Sequence, residues 1–260
     1  MTWPFENDTS GIVKRISNRS ISANRKRNIF IVLTIVLASA LLSAIVLYGF
    51  GVMQETQNRN QKTAQIMYHA ISEQQGQELY KQEEIAWVGE FFNAFSEQVN
   101  HSTVNFTYAN ADMLTSQSMP YSGDLPASEN EIVVQESFLD SLGYSNELGQ
   151  TIQIPFSDGT THDFKLTGIL DVKTGDIGRY TAIISKELVR QQYGDGGMID
   201  YYIGLKGAQN MSEEEATNYA NTLAQQLKIS DDNVIVRSTY FNLKDENHGS
   251  DMLFYFLIGF

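Results

Sequence analysis

The longest feature of the hydrophobic pattern is an uncharged apolar run from Ile29 to Val52, IFIVLTIVLASALLSAIVLYGFGV. These 24 residues would rise about 36 Å as a helix, enough to cross a hydrocarbon core of about 30 Å with some tilt. The run is longer than the apolar centre of a cleaved signal peptide, and it begins too late in the chain to be one. We therefore predict a transmembrane helix over residues 29–52.

A second apolar run follows Asp251 and continues to Phe260, with the sequence MLFYFLIGF. Nine helical residues reach about 14 Å, roughly half of a hydrocarbon core. We interpret residues 251–260 as the opening turns of a second membrane helix.

Between these runs the pattern changes to short apolar strands and amphipathic helices. A strand is predicted at IMYHAI (66–71), and Ser72 with Gln75 then forms a capping box for a helix ending near Glu83 or Glu84. Two strands rich in aromatic and β-branched residues follow, IAWVGEFF (85–92) and TVNFTY (103–108).

The same order of elements recurs near residue 200. The segment DYYIGLK (200–206) is strand-like, Ser212 and Glu215 form another capping box, and a strand is predicted at NVIVRS. The helix between them carries one apolar face, made of Ala216, Tyr219, Ala220, Leu223 and Leu227. Such units usually share one sheet with both helices on one face, so we predict two matching halves at about 63–111 and 198–240.

The intervening segment, about 112–197, is richer in strands. NEIVVQESFLDSLG predicts a strand and a short helix stopped by Gly143, and GQTIQIPF and HDFKLTGILDV predict a hairpin around an SDGT turn. One more strand and helix follow at YTAIIS and KELVRQQYG. The predicted fold class is α+β, with a β-rich insert between two strand–helix–strand halves.

Charge sets the orientation in the membrane. Residues 1–28 hold six basic and two acidic residues, a net charge of +4, whereas residues 53–260 hold 12 basic and 29 acidic residues, a net charge of −17. Basic residues beside a span stay in the cytoplasm, so residues 53–250 are predicted to be extracytoplasmic. The acidic outer region disfavours nucleic acid as a partner. The basic segment predicts either a short helix on the inner membrane face or a disordered tail.

Candidate chemistry is sparse. There is no cysteine, which excludes thiolate nucleophiles and zinc–thiolate sites. His69, His101, His162 and His248 lack the spacing of metal ligands. The SDGT segment is explained by a hairpin turn, GDGG (194–197) lacks a phosphate-binding signature, and no serine has a G-x-S-x-G setting. The sequence therefore predicts no catalytic, cofactor-binding or metal-binding residue and no enzymatic activity of the chain itself.

Two stretches carry a resemblance to a known family. The opening SGIVKRISNRSISANRKRNIFIVLTIVLASALLSAIVLYGFG and the later LPASENEIVVQESFLDSLGYSNELGQTIQI…FKLTGIL resemble bacterial ABC-transporter permeases of the FtsX/MacB type. The second stretch is similar to the extracytoplasmic core domain of that family. Its Leu-Pro, Asn-Glu-Ile-Val, Leu-Gly-x-x-Ile and Thr-Gly-Ile-Leu segments occur in the family's order.

The resemblance implies a multi-pass protein of the bacterial cell membrane with a porter-like part and an inserted β-rich, sabre-like part outside. It implies a dimer, with itself or with a second permease, and a cytoplasmic ABC ATPase partner that binds the ATP. The expected role is to pass ATPase motion to the outer domain for export, antimicrobial-peptide resistance or cell-envelope signalling. A membrane-anchored extracytoplasmic sensor of a ligand is the alternative hypothesis.

Overall fold

A computed structural model describes residues 10–172, 179–194 and 199–241, with the backbone alone at Ile21 and 52–61. The predicted start of a second membrane helix, His248 and most of the GDGG segment lie outside the described residues. Of the described residues, those up to Glu55 form one compact unit and those from Thr56 form another.

The first unit is helical. Helix α1 spans Ser10–Ala23, and helix α2 spans Arg25–Lys62, so the residues of α2 from Thr56 onward belong to the second unit. The helical segment Arg25–Gly51 is long and apolar enough to cross a membrane, as the hydrophobic pattern predicts. Thr34 and Ser39 donate their hydroxyls to the carbonyls of Phe30 and Ile35 at 2.8 and 2.7 Å, so these polar groups are satisfied within the helix. The basic segment is helical at α1, and its position on the membrane surface stays a prediction.

The second unit is built on one mixed sheet. Its strands among the described residues are β1 (Ile66–Ile71), β2 (Ile85–Val99), β3 (Ser102–Ala109), β4 (Tyr121–Gly123), β5 (Glu131–Gln135), β6 (Thr151–Pro155), β7 (Thr161–Leu170), β8 (Arg179–Ile184), β9 (Ile199–Leu205) and β10 (Val234–Val236). The helices are α3 (Glu73–Leu79), α4 (Ala111–Ser116), α5 (Glu136–Leu142), α6 (Lys186–Tyr193) and α7 (Glu213–Leu227).

The strands follow the spatial order β10-β1-β9-β2-β3-β8-β5-β7-β4, and β6 pairs with β7. Pairing is antiparallel except between β3 and β8 and between β5 and β7, which are parallel. Strands of the two predicted halves lie side by side at one end, and strands of the predicted insert lie at the other. The two predicted halves and the predicted insert therefore belong to one continuous sheet, in which β3 of the first half pairs with β8 of the insert.

Three hydrophobic clusters hold the sheet and its helices together. The first cluster packs β1, β2 and β9 against α3 and α7, around Tyr68 and Tyr201. The second packs β3, β5, β7 and β8 against α5 and α6, around Phe106 and Phe138. The third lies under α4 and includes Met113. Phe92 and Tyr108 pack against both the first and the second cluster, so these two residues connect the clusters.

Several predictions made from local sequence patterns are confirmed. Both capping boxes form, Ser72 with Gln75 and Ser212 with Glu215. Gly143 ends α5 in the left-handed conformation at φ 79°, and β6 and β7 form the predicted hairpin. Gly76 allows α3 to lie close to the sheet, because a Cβ there would be 2.0 Å from Cζ of Tyr201.

The predicted C-terminal end of helix α3 is wrong. Helix α3 ends at Leu79 rather than near Glu83 or Glu84, and turns closed by the amides of Lys81 and Gln82 lead into β2. Leu79 is fully buried, and the next residue, Tyr80, donates its hydroxyl to Glu90 on β2. These tertiary contacts end the helix before its sequence pattern does.

Strand β2 runs seven residues beyond its predicted end at Phe92, to Val99. A tight turn at Asn100 and His101, with φ of 48° and 67°, joins it to β3. The added residues are mostly polar and partner β3 across the hairpin, as Ser96 does with Asn105 at 2.7 Å. Helix α4, capped by Asn110, was not predicted.

Candidate functional site at the sheet junction

Strand β2 divides the sheet into two regions, a first region of β10, β1 and β9 on one side and a second region of β3, β8, β5, β7, β4 and β6 on the other. Its first part, Ile85–Phe91, pairs with β9, and its second part, from Phe91 onward, pairs with β3. Within β2, which the structure describes throughout, Phe91 is the residue registered with partners on both sides, Asp200 and Ala109. We call Glu90 and Phe91 the junction, because the two regions meet in one strand at this point.

A buried carboxylate marks the junction on the helix-covered face. The Glu90 side chain is only 5% exposed. It accepts hydrogen bonds from the Tyr80 hydroxyl at 2.9 Å, the Tyr108 hydroxyl at 2.6 Å and the Lys186 ammonium at 2.9 Å. A buried charge is tolerated when it is paired and hydrogen-bonded, and Glu90 meets both conditions.

A second carboxylate extends the network across α6. Glu73, at the start of α3, lies 3.1 Å from the Lys186 ammonium and accepts two hydrogen bonds of 2.6 Å from the Arg190 guanidinium. Lys186 therefore touches both carboxylates. We call Glu73, Tyr80, Glu90, Tyr108, Lys186 and Arg190 the Glu90 cluster; its two negative and two positive groups balance.

The electrostatics favour this arrangement at neutral pH. Burial and the nearby Glu90 charge raise the pKa of Tyr108 and of Tyr80, so both phenols stay protonated and donate. The hydrogen bond from Arg190 is the main cause that lowers the pKa of Glu73. The Glu73 carboxylate is thus held ionised beside Arg190, and the two tyrosines are held neutral.

Helix α6 fastens the second region to β2 beyond the junction as well. Its last residue, Tyr193, donates its hydroxyl to the Ala94 carbonyl at 2.6 Å, where a bulge interrupts the pairing of β2 with β3. The Tyr193 ring also meets Phe92 edge-on at 5.1 Å. One helix therefore contacts α3, the junction and the bulge.

The opposite face of the junction is open and has a different chemistry. A groove of about 440 Å³ lies there, with its floor on β2, β3, β8 and β9 and one wall on α4. We call it the open-face groove; among its lining residues are Phe91, Asn93, Thr107, Met113, Thr181 and Tyr202. The Thr107 hydroxyl is buried and has no hydrogen-bond partner. Gly89 allows α4 to approach, because a Cβ there would be 3.2 Å from Met113 Cα.

The Glu90 cluster connects α3, β2 and α6, since Lys186 on α6 pairs with Glu73 on α3 and with Glu90 on β2. Both carboxylates of the Glu90 cluster are engaged by cations, whereas a general base needs a free lone pair directed at a substrate proton. Across residues 10–172, 179–194 and 199–241, no three His, Asp or Glu side chains are grouped as metal ligands.

The three described histidines and the SDGT turn take structural positions. His69 pairs with Asp200 at 2.7 Å, His101 lies in the turn between β2 and β3, and His162 packs against Phe156 with ring centroids 4.2 Å apart. In the SDGT turn, Asp158 accepts from the amide and hydroxyl of Thr160, and Gly159 has φ 85°.

Sequence reasoning missed the Glu90 cluster. Its members extend from residue 73 to residue 190, so no short motif joins them. One signal was present, because Glu90 is a lone acid inside the aromatic strand IAWVGEFF. An acid in such a strand needs a buried partner or an exposed face, and the sequence alone did not say which.

The comparisons with known proteins agree with this architecture. Residues 29–236, from the apolar span to the last described strand, match the family model of the MacB-like periplasmic core domain. A sequence search of curated proteins found no match.

Two solved structures align with this chain. The extracellular domain of the noncanonic ABC-type transporter YknZ from Gram-positive bacteria aligns with a TM-score of 0.50 at 9% identity, covering 67% of this chain and 100% of that one. The periplasmic region of MacB from Actinobacillus actinomycetemcomitans aligns with a TM-score of 0.48 at 14% identity, covering 70% of this chain and 92% of that one. At 9% identity, the first likeness concerns the fold alone.

Proposed function

The chain belongs to the family of the MacB-like periplasmic core domain, and from this membership we propose that it is a permease subunit of a bacterial ABC transporter. In this role it couples ATP hydrolysis in the cytoplasm to motion of its extracytoplasmic domain. The chain itself is not the enzyme, because a partner ABC ATPase binds and hydrolyses the ATP.

The observation that carries the proposal is the connection between α2 and the sheet. Only three residues separate Lys62 from the first residue of β1, and two of them, Ala64 and Gln65, are buried. Gln65 forms two hydrogen bonds with β9. Its backbone N–H donates to the Ile203 carbonyl at 2.9 Å, and its side-chain oxygen accepts from the backbone N–H of Leu205 at 2.7 Å. Its carbonyl accepts from Arg237 N at 2.8 Å. A connection held on both sides transmits displacement better than a flexible linker does.

From this connection the proposed path runs through the sheet. β1 pairs with β9, β9 pairs with the first part of β2, and the junction passes the displacement to β3 and β8. The Glu90 cluster supports the same step from the helix-covered face, because α6 bridges α3 and β2. The two regions would therefore move in a defined relation to each other.

The partners follow from the same proposal. They are a cytoplasmic ABC ATPase subunit, a second permease in a homodimer or heterodimer, and the lipid bilayer. The protein would be multi-pass in the bacterial cell membrane, with a cytoplasmic N-terminus. Its work would be export, antimicrobial-peptide resistance or cell-envelope signalling.

A flexible insertion tests the coupling. Gly-Gly-Ser would be inserted between Lys62 and Thr63 of the natural full-length protein, produced with the ATPase encoded beside it. We expect the ATPase to co-purify as before and the outer domain to stay folded, while export or resistance falls at least about tenfold, because displacement no longer reaches β1. The matched control places the same insertion between Asp158 and Gly159, at the exposed hairpin turn, and should leave activity unchanged.

Two results would contradict the proposal in different ways. Unchanged activity after insertion at Lys62 would reject coupling through this connection. If the unaltered full-length protein neither binds an ATPase nor raises its ATP hydrolysis, the permease role is wrong and the ligand-sensor hypothesis takes its place.

A further inference from the structure

A second concave surface lies in the second region of the sheet, and neither junction residue lines it. Its walls are the bulged part of β2, the hairpin of β6 and β7, the segment that precedes β5, and α6. Its volume of about 330 Å³ lies within the range of roughly 300–1,000 Å³ that ligand pockets occupy. We call it the aromatic cleft; its described lining residues are Phe95, Glu129, Asn130, Phe156, His162, Asp163, Phe164, Leu188, Gln191 and Gln192.

Four neighbouring rings form one wall of the aromatic cleft. The centroid of the Phe156 ring lies 5.9 Å from that of Phe95 and 4.2 Å from that of His162, which is 6.5 Å from that of Phe164. Phe95 and Phe156 are only half-buried, so part of each ring is accessible to a molecule in the cleft. Aromatic rings offer an apolar surface, and their faces also attract cations.

The carboxylates of the cleft select the charge of a ligand. Glu129 and Asp163 are exposed, and within the described residues neither is paired with a Lys or Arg. Asp163 accepts one hydrogen bond, from the Gln153 amide at 3.0 Å, through one of its two oxygens. None of the ten described lining residues is a Lys or Arg. A cation in the cleft would therefore meet two unpaired carboxylates, whereas an anion would be repelled.

We propose that the aromatic cleft binds a small organic cation that carries a substituted ammonium group. The ammonium group lies against the rings of Phe95 and Phe156, and the carboxylates of Glu129 and Asp163 balance its charge. Rings alone would accept any apolar molecule, and the carboxylates make the cleft selective for a cation. A metal ion fits less well, because no three His, Asp or Glu side chains in the described part of the chain are grouped as ligands.

Two probes of nearly equal shape test the selectivity for charge. Choline carries a trimethylammonium group, and its neutral isostere carries a tert-butyl group in the same place. Binding to the full chain in dodecyl maltoside micelles, whose head groups are uncharged, would be measured through the methyl signals by saturation-transfer NMR. At typical ligand efficiencies we expect choline to bind with a Kd on the order of 1 to 10 mM. The neutral isostere should bind at least about fivefold more weakly, because it lacks the attraction to the rings and the carboxylates.

Matched variants locate the binding. Glu129→Gln removes one carboxylate of the cleft at nearly constant volume and should weaken choline about threefold. Glu147→Gln makes the same change at an exposed acid outside the cleft and should leave the affinity for choline unchanged. Phe156→Leu keeps most of the apolar volume but removes the ring, and should weaken choline about threefold while leaving the neutral isostere nearly unchanged. Thermal melting checks that each variant is folded.

Three results would overturn the inference. They are equal affinities of choline and its neutral isostere, equal effects of Glu129→Gln and Glu147→Gln on choline, and no binding of choline to the folded protein. None of these measurements involves ATP hydrolysis or a partner subunit, so their outcome is separate from that of the coupling test.

Discussion

Glu90 and Phe91 are neighbours in sequence, yet they lie in opposite environments. On the face of Glu90, helices cover the sheet, two carboxylates meet two cations, and the Glu90 carboxylate has three donors. On the face of Phe91, a groove is open, its lining is uncharged, and one hydroxyl is unpaired. Alternation along a strand makes this possible, since successive side chains point to opposite faces.

The difference teaches how one strand serves two purposes. The helix-covered face holds the regions of the sheet together through charges that are satisfied only when α3, β2 and α6 are all in place. The open face leaves polar and apolar groups available for contact. Variants at adjacent positions should therefore give unlike results, and the following four predictions compare them from the largest expected effect to the smallest.

Removing the buried carboxylate should be the most destabilising change. Glu90→Ala leaves the Lys186 ammonium, which is 20% exposed, without its closest carboxylate, and we expect a loss of about 3 kcal/mol in unfolding free energy. Thermal unfolding of the full chain in detergent micelles measures it. The matched control is Glu78→Ala, which breaks an exposed pair with Lys81 and should change stability by less than about 0.5 kcal/mol.

A double-mutant cycle adds Lys186→Met to Glu90→Ala. If the pair acts as a unit, the double variant should be more stable than the sum of the single losses predicts. Similar small effects for Glu90→Ala and Glu78→Ala would show that the helix-covered face does not depend on the cluster.

On the open face, truncating the aromatic ring should destabilise less. Phe91 is half-buried, so Phe91→Ala should cost about 2 kcal/mol, below the 3–5 kcal/mol typical of fully buried rings. Phe91→Leu keeps most of the apolar volume and should cost less than about 1.5 kcal/mol. A loss for Phe91→Ala above that for Glu90→Ala would reverse the comparison between the faces.

The third prediction concerns pH. The pKa of Glu73 is lower in the folded chain than its ordinary value, mainly because of Arg190, so its ionised form contributes stability at neutral pH. This contribution falls as pH drops below the ordinary Glu pKa of about 4.3 and through the lower folded value. Glu73→Gln should therefore be destabilised by up to about 1 kcal/mol at pH 7, a modest loss because the side chain is 36% exposed.

The gap between Glu73→Gln and the unaltered chain should close when melting is measured below pH 4. The matched control is Glu187→Gln on α6. The Glu187 carboxylate lies farther from Arg190 than that of Glu73 does, at 3.7 Å against 2.6 Å, and it is more exposed than the Glu73 carboxylate. A gap that stays constant from pH 7 to pH 3 would contradict a role for the Glu73 charge.

The smallest effect is expected at Thr107. Because its hydroxyl has no partner, Thr107→Val removes a buried polar group without breaking a hydrogen bond, and stability should stay unchanged or rise by up to about 1 kcal/mol. Melting of the full chain gives this value. A loss above about 1 kcal/mol would mean that the hydroxyl is already satisfied in the folded protein.

Predictions from sequence succeeded where the physical cause was local. The capping boxes at Ser72 and Ser212 depend on residues three positions apart, and Gly143 ends its helix through its own backbone freedom. They failed where distant contacts decide. The predicted strand ended at Phe92, although β2 continues to Val99, because the residues after Phe92 are mostly polar. A partly exposed hairpin strand keeps little of the apolar pattern of a buried strand.

The sequence by itself determined the apolar helix, the α+β class, the local caps and the hairpin between β6 and β7. Each of these depends on spacing within a few residues, and the hydrophobic pattern records such spacing directly. Only the tertiary structure decided that Glu90 is buried rather than exposed and that Phe91 opens onto a groove. Residues from 73 to 190 must assemble before a carboxylate in that position finds its donors, and no short segment contains that information.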